Sequence, residues 1–239
     1  QVSLSITADS DAAPTVTFAS SASSVTENGS DLTITATLSN PTYETVTVSI
    51  DGTGGSATEG TDFATVSDIT ITSGNTTGTA AFNPTADSLY DAASSEAAGL
   101  SISGVSGGAA TESGSQTASI TITDSQSAPT VTLASSGSSV GEAGSDLTLT
   151  ATLSVATYQN VVVALTPTGT GTEGTDYATI SDITVNAGAT TGTSAFNPTD
   201  DSGAHEDTET AIVAITGVSG GGASENGTQS TTISIVEND

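Results

Sequence analysis

Along this chain apolar residues alternate with hydroxyl-bearing ones over short stretches, and Gly, Asn, Asp and Pro interrupt them. Thr33-Ile34-Thr35-Ala36-Thr37-Leu38 and Thr148-Leu149-Thr150-Ala151-Thr152-Leu153 are instances. A period of two puts one set of side chains on each face of an extended strand, and the branched Cβ of Thr suits a pleated surface. The pattern predicts strands near 15–19, 31–38, 44–50, 68–72, 79–84, 98–104 and 116–123, and no window carries a helical period. Turn residues fall between these runs at the spacing of a β-sandwich.

The same order of strands occurs twice. Ala13-Pro14-Thr15-Val16-Thr17 returns as Ala128-Pro129-Thr130-Val131-Thr132, an offset of 129 − 14 = 115. Glu59-Gly60-Thr61-Asp62-Phe63 returns as Glu173-Gly174-Thr175-Asp176-Tyr177, and Ala81-Phe82-Asn83-Pro84 as Ala195-Phe196-Asn197-Pro198, both at 114. Ile120-Thr121-Ile122 matches Ile233-Ser234-Ile235 at 113, and the drift is expected to fall only in loops. The reading is an all-β chain of two tandem immunoglobulin-like antiparallel sandwiches, each of about seven strands. The bodies span 13–124 and 125–239, and the short linker ending in Pro129 predicts end-to-end stacking with restricted bending.

Residues 1–12 do not fit this count. Gln1 to Asp9 reads as a further copy of the closing strand Gln116–Asp124, with Val2, Leu4 and Ile6 on one face. It is either the end of a preceding repeat in a longer array or a donor strand lent to a neighbouring subunit.

Composition narrows the function. The 239 residues include no Lys or Arg against 27 Asp plus Glu, for a formal net charge of −27. Phosphate backbones require cations, so nucleic acid is excluded, and an anionic membrane is disfavoured on the same ground. No apolar run approaches the ~18 residues of a spanning helix. Cys is absent, and so is Lys, which rules out disulfide and Lys–Asn isopeptide staples and leaves a metal. The absence of Met even at position 1 reads as a mature or excised segment of a secreted protein, extracellular or at a cell surface. Asn28 and Asn226 stand in sequons by spelling only.

The acids gather after strands. In the second copy they are Glu142, Asp176, Asp200, Asp201, Glu206, Asp207, Glu209, Glu237 and Asp239. Two carboxylates about 4 Å apart repel by roughly 4 kcal/mol at a surface-like dielectric. Without a basic side chain, a bound cation is the expected remedy, and an all-oxygen shell favours Ca²⁺ over Mg²⁺.

These motifs carry a resemblance. Val25-Thr26-Glu27 and Val140-Gly141-Glu142, the Gly-Thr-Asp-aromatic motif at Asp62 and Asp176, the Asp200-Asp201 pair with Glu206 and Glu209, and the Ile235–Asp239 close resemble the Calx-beta domain in order and spacing. That sandwich occurs in sodium–calcium exchangers and many bacterial surface proteins. The resemblance implies Ca²⁺ held by Glu142, Asp176, Asp200, Asp201, Glu206, Glu209, Glu237 and Asp239 in the second copy. In the first it implies Glu27, Asp62, Asp87, Glu96 and Asp124, with Asp91 as a substitute. Ala86 and Ala93 stand where the second copy has Asp200 and Glu206, so the first is expected to bind fewer or weaker ions.

Other features read as structural. Asp68 and Asp182 are expected to begin strands or make turn bonds. The single His205, present in one copy only, reads as a solvated side chain beside the acidic loop. No nucleophile constellation can be assembled twice, so no enzyme is expected. Phe and Tyr are expected in the core, and the Gly107-Gly108 and Gly220–Gly222 stretches read as hairpin loops.

The leading expectation is a structural calcium-binding repeat segment of an extracellular adhesin or fibre. Calcium would rigidify the sandwich tips and linker, and the partners would be neighbouring repeats or identical subunits end to end. The alternatives are a filament subunit joined by exchange of its N-terminal strand and a calcium-dependent glycan- or protein-binding module.

Overall fold

The computed structural model describes residues 12–92, 95–200 and 207–237, and the chain divides into two units. One comprises Gln1–Asp87 with Ser95–Ser125, the other Ser88–Ser94 with Gln126–Asp239. The predicted alternation is realised as paired strands, and no helix occurs among the described residues.

In the first repeat the strands are β1 Thr15–Ser20, β2 Ser24–Thr26, β3 Leu32–Leu38, β4 Val46–Gly55, β5 Ile69–Ile71, β6 Thr77–Phe82, β7 Leu89–Tyr90, β8 Ser95–Ser106, β9 Thr111–Glu112 and β10 Thr117–Thr123. Those of the second are β11 Thr130–Ser135, β12 Ser139–Gly141, β13 Leu147–Leu153, β14 Ala156–Thr157, β15 Val161–Gly169, β16 Ile183–Val185, β17 Thr191–Phe196, β18 Glu209–Ser219, β19 Ser224–Glu225 and β20 Ser230–Val236. The first unit packs a sheet of order β6-β3-β1-β9 on one of order β2-β10-β8-β4-β5. The second unit repeats this as β17-β13-β11-β19 on β12-β20-β18-β15-β16.

Each core is the inward set of the alternation. Val16, Ile34, Ala36, Val46, Val48, Ile69, Leu100 and Ile120 fill the first, and Val131, Leu149, Ala151, Val161, Val163, Ile183, Val213 and Ile233 the second. Slipping the register by one residue would expose every one of them, so burial fixes the pairing. Small and branched side chains alone would leave the sandwich ends open, and aromatic pairs close them. Phe63 stacks on Phe82 at 4.9 Å between ring centroids, and Tyr177 on Phe196 at 5.0 Å.

Two expectations need correction. The first drift in repeat offset lies inside a strand rather than a loop. Both β4 and β15 carry an irregularity, at Ser49/Ile50 and Ala164/Leu165, but β4 has a second between Asp51 and Gly54. There the extra residue is absorbed as a bulge, which adds one residue to one strand while the flanking register holds. Nor are all aromatics in the core: Tyr43 is 97 % exposed and Tyr158 51 %.

Removing a stacked ring should empty the end of one core. Phe82→Ala and Phe196→Ala are each expected to lower unfolding free energy by about 3–5 kcal/mol. Guanidinium denaturation checks this, with Thr33→Ala on the exposed sheet face as a control of within about 0.5 kcal/mol.

Candidate functional site

The loop after β4 and the loop after β6 are joined at one end of the first unit. Ala64 N donates to Asn83 O at 2.9 Å and Thr85 N to Asp62 O at 2.9 Å, while the Phe63–Phe82 stack ties both loops to the core. Inside the first of these loops Asp62 folds back. Its Oδ2 accepts the backbone N–H of Thr58 at 2.6 Å, and Asp62 N donates to Thr58 O at 2.9 Å. The second unit copies the arrangement, with Thr172 N to Asp176 Oδ2 at 2.5 Å and Thr199 N to Asp176 O at 3.0 Å. The Gly-Thr-Asp-aromatic motif therefore closes its own turn by a charge-assisted hydrogen bond. Sequence reasoning assigned these Asp residues to metal alone and missed that task.

The strand ends supply the remaining acids. In the first unit β10 runs between β2 and β8, with Ile122 opposite both Val25 and Glu96. Glu27 follows β2 and its N–H donates to Thr123 O at 2.9 Å, so Glu27, Glu96 and Asp124 stand on three adjacent strands at one end. Ser125 donates to Glu27 Oε1 through its hydroxyl at 2.8 Å and its N–H at 3.3 Å. Asp87 is exposed beyond the Asp62–Thr85 junction.

In the second unit Ile235 is likewise opposite Val140 and Glu209, Glu142 N donates to Val236 O at 3.2 Å, and Glu237 follows β20. A methyl added to Gly171 would lie 3.4 Å from Glu209 Oε2 and 3.3 Å from Ile235, which places the Glu209 carboxylate against the loop that carries Asp176. Glu142 is only 8 % exposed, whereas its counterpart Glu27 is half-buried. Burying a carboxylate costs several kcal/mol unless hydrogen bonds or a cation offset it. Asp200 is exposed. Asp201, Glu206 and Asp239, with His205 and the proposed assembly residues Val2, Leu4 and Ile6, lie outside the described residues.

The strand-end acids among the described residues thus stand at one end of each unit, but no group of three or more His, Asp or Glu side chains among the described residues is gathered as a metal cage. Their donor chemistry, oxygen only, suits a hard cation. Asp68 and Asp182 serve the sheets instead. Asp68 Oδ2 accepts from Ser49 Oγ and Asp182 Oδ1 from Leu165 N, both at 3.0 Å and both at the bulge shared by the two copies. Glu112 and Glu225 accept from Gln116 N and Gln229 N at 2.5 Å and stabilise loops at the opposite end. The exposed Tyr43 is also at that opposite end, so it builds no aromatic platform beside the acids.

One titrating group reports the local field. Tyr177, buried where the first copy has Phe63, is raised above the ordinary tyrosine value of 10.0 by loss of hydration and then by the charges of Glu173, Asp176 and Glu209. Glu173, which sequence reasoning used only as a repeat marker, contributes to this field together with two predicted site residues; its Oε1 accepts from Ile180 N at 2.7 Å.

These features define the chain as two β-sandwiches in tandem, each with an acidic end. The Calx-beta domain model matches residues 9–126 and 124–239, and the chain belongs to that family. Among solved structures it is similar to the crystal structure of CBD12 from CALX1.2, at 13 % identity and a TM-score of 0.43, over 92 % of this chain and 99 % of that one. The calcium binding domain CBD12 of CALX1.1 aligns at 13 % identity and 0.40, over 88 % and 95 %. A two-domain protein of unknown function from Bacteroides fragilis aligns at 9 % and 0.36, over 94 % and 93 %. No curated protein matches the chain in sequence.

Because the folded state holds the Tyr177 proton more tightly than the unfolded chain does, the stabilisation is full below about pH 10 and is lost as pH rises through the folded value. Denaturation midpoints should therefore fall more steeply above that pH in the wild type than in Tyr177→Phe, and equal slopes would contradict the assignment.

Proposed function

We propose that this chain is a calcium-binding structural segment of an extracellular adhesin or fibre, with the acidic end of each sandwich as the place where Ca²⁺ acts. The observation that carries the reading is Glu142, a carboxylate only 8 % exposed at the strand end where Glu209 and Glu237 also stand, in a chain that has no Lys or Arg. A bound Ca²⁺ would supply the missing positive charge and add its binding free energy to the folded state. Glu142, Asp176, Asp200, Glu209 and Glu237 are the described residues of the second copy that would hold it. Asp201, Glu206 and Asp239 join them by sequence. Glu27, Asp62, Asp87, Glu96 and Asp124 are the counterparts in the first copy. The family assignment supports the reading.

The first copy is the weaker site in this proposal, because Ala86 and Ala93 replace two acids and because Ser125 already hydrogen-bonds Glu27. Asp62 and Asp176 are poor residues to mutate, since each also closes its loop. Glu142 and Glu27 isolate the charge effect more cleanly.

Thermal unfolding of the full chain in calcium and in chelator tests the proposal. Calcium should raise the wild-type midpoint. Glu142→Gln should be at least as stable as wild type in chelator, where it removes a buried charge, and less stable in calcium, where it removes a ligand. A wild-type midpoint indifferent to calcium would sink the proposal, and so would the same ranking of the two proteins in both conditions.

Isothermal titration should show that Glu142→Gln weakens the tightest calcium event by about tenfold or more, ~1.4 kcal/mol. Glu27→Gln should leave that event in place.

A further inference from the structure

The second unit contains a small parallel sheet built from a distant piece of chain. Its β7 lies beside β14, with Leu89 opposite Ala156 and Tyr90 opposite Thr157, and Tyr158 N donates to Tyr90 O at 3.3 Å. The added strand covers the edge: Thr157 is 1 % exposed and Ala156 9 %. The Tyr90 ring also lies against Gly222, where an added methyl would be 2.8 Å from its edge.

The first unit has the corresponding segment, here a loop between β3 and β4. The repeat aligns Ala156-Thr157-Tyr158 with Pro41-Thr42-Tyr43 and Gly220-Gly221-Gly222 with Gly107-Gly108-Ala109. The backbones agree, with φ of 90°, 55° and 52° at Gly107, Gly108 and Ala109 against 86°, 54° and 62° at their counterparts. Thr42 Oγ1 donates to Glu44 O as Thr157 Oγ1 does to Gln159 O. Ala109 even holds a left-handed conformation that an L side chain rarely adopts, so the surrounding structure imposes this shape. Here the loop lines a groove of about 650 Å³ with Ala12, Ala13 and Pro14, and Pro41 and Tyr43 are exposed.

We propose that this groove is a strand-docking site for an extended segment of a further Calx-beta-type repeat, which adds in parallel to Pro41–Tyr43 as Leu89–Tyr90 adds to Ala156–Thr157. Addition to a sheet edge draws its affinity from main-chain hydrogen bonds and its selectivity from the side-chain pockets. The missing N–H of Pro41 is no obstacle, because the donor seen in the second unit is Tyr158 N and its counterpart is Tyr43 N. The occupant differs from Leu89–Tyr90 in one respect. The Ala109 methyl fills the space that Gly222 leaves for the Tyr90 ring, so the incoming segment carries an apolar residue followed by a side chain smaller than tyrosine. A neutral segment is favoured as well, since Glu44 stands where the second unit has Gln159, with its Oε2 accepting from Gly108 N at 3.0 Å.

The probes are two blocked tetrapeptides, Ser-Leu-Ala-Ser and Ser-Leu-Tyr-Ser, titrated to about 10 mM into the isotope-labelled full chain and followed by amide NMR shifts. The alanine peptide is expected to shift Thr42, Tyr43, Gly107, Gly108 and Ala109, and to bind at least about threefold more tightly than the tyrosine peptide. Ala109→Gly should reverse that order. Absence of shifts at these residues, or a preference that ignores the Ala109 substitution, overturns the proposal. So does binding that appears only after residues 1–11 are deleted, because the groove would then belong to that segment. None of these outcomes depends on calcium, so the proposal stands or falls apart from the metal reading.

Discussion

The stack of two aromatic rings at one end of each sandwich is the contact on which the acidic end depends. The chain has four Phe and four Tyr, and half of them are spent on Phe63–Phe82 and Tyr177–Phe196. Such a pair is worth about 0.5–1.5 kcal/mol beyond the area it buries. Its larger effect is positional. The ring of Phe63 or Tyr177 anchors a loop that would otherwise hang from the glycine-rich end of β4 or β15. Its neighbour Asp62 or Asp176 is thereby brought against the loop after β6 or β17. Gly55 and Gly169 permit the turn into that loop: at φ of 96° and 124°, a Cβ would sit 1.9 Å from Ala97 O and 2.1 Å from Thr210 O.

A chain with a formal charge of −27 and no Lys or Arg must still satisfy its carboxylates, and it does so largely with neutral donors. Asp62, Asp176, Glu173, Glu112, Glu225 and Asp182 each accept a backbone N–H, and Glu27 accepts from Ser125. Hydrogen bonds of this kind satisfy the oxygens of one acid without cancelling its field at the next. The rise of the Tyr177 ionisation shows the residual field, since three carboxylates still act on that hydroxyl. Local donors therefore explain why the acids tolerate their positions. They leave open a role for a mobile cation where several acids share one end.

Six of the seven main strands of each copy were legible because each is long enough to show a period of two and is bounded by turn residues; the three-residue β5 was legible because its alternation runs on through Asp68–Thr72. The short parallel strands were not. β2 and β12, three residues each, carry the chain from one sheet to the other, and β9 and β19 are two-residue pairs. Segments of that length have no period, and their partners lie far away in sequence. The docking of Leu89–Tyr90 was invisible for the same reason. The acidic end was legible as a list of residues because the acids recur after strands in both copies. The division of labour within it was not: a turn-closing Asp and a ligand Asp have the same spelling.

The two copies differ mostly where the fold is least constrained. Their inward-facing residues correspond along β1 and β11, β3 and β13, and β10 and β20, since a single register error there would turn a whole strand face to water. An inserted residue is tolerated in β4, where a second bulge absorbs it within two residues of the loop. The core accepts apolar exchanges such as Phe18 against Leu133 and Ile34 against Leu149, and the ends differ at Phe63 against Tyr177 and Ala109 against Gly222. A hydroxyl is set among acids in one copy, and a methyl fills the ring space of a docking edge in the other. Duplicating a sandwich whose stability rests on its middle thus leaves two ends free to acquire separate chemistries.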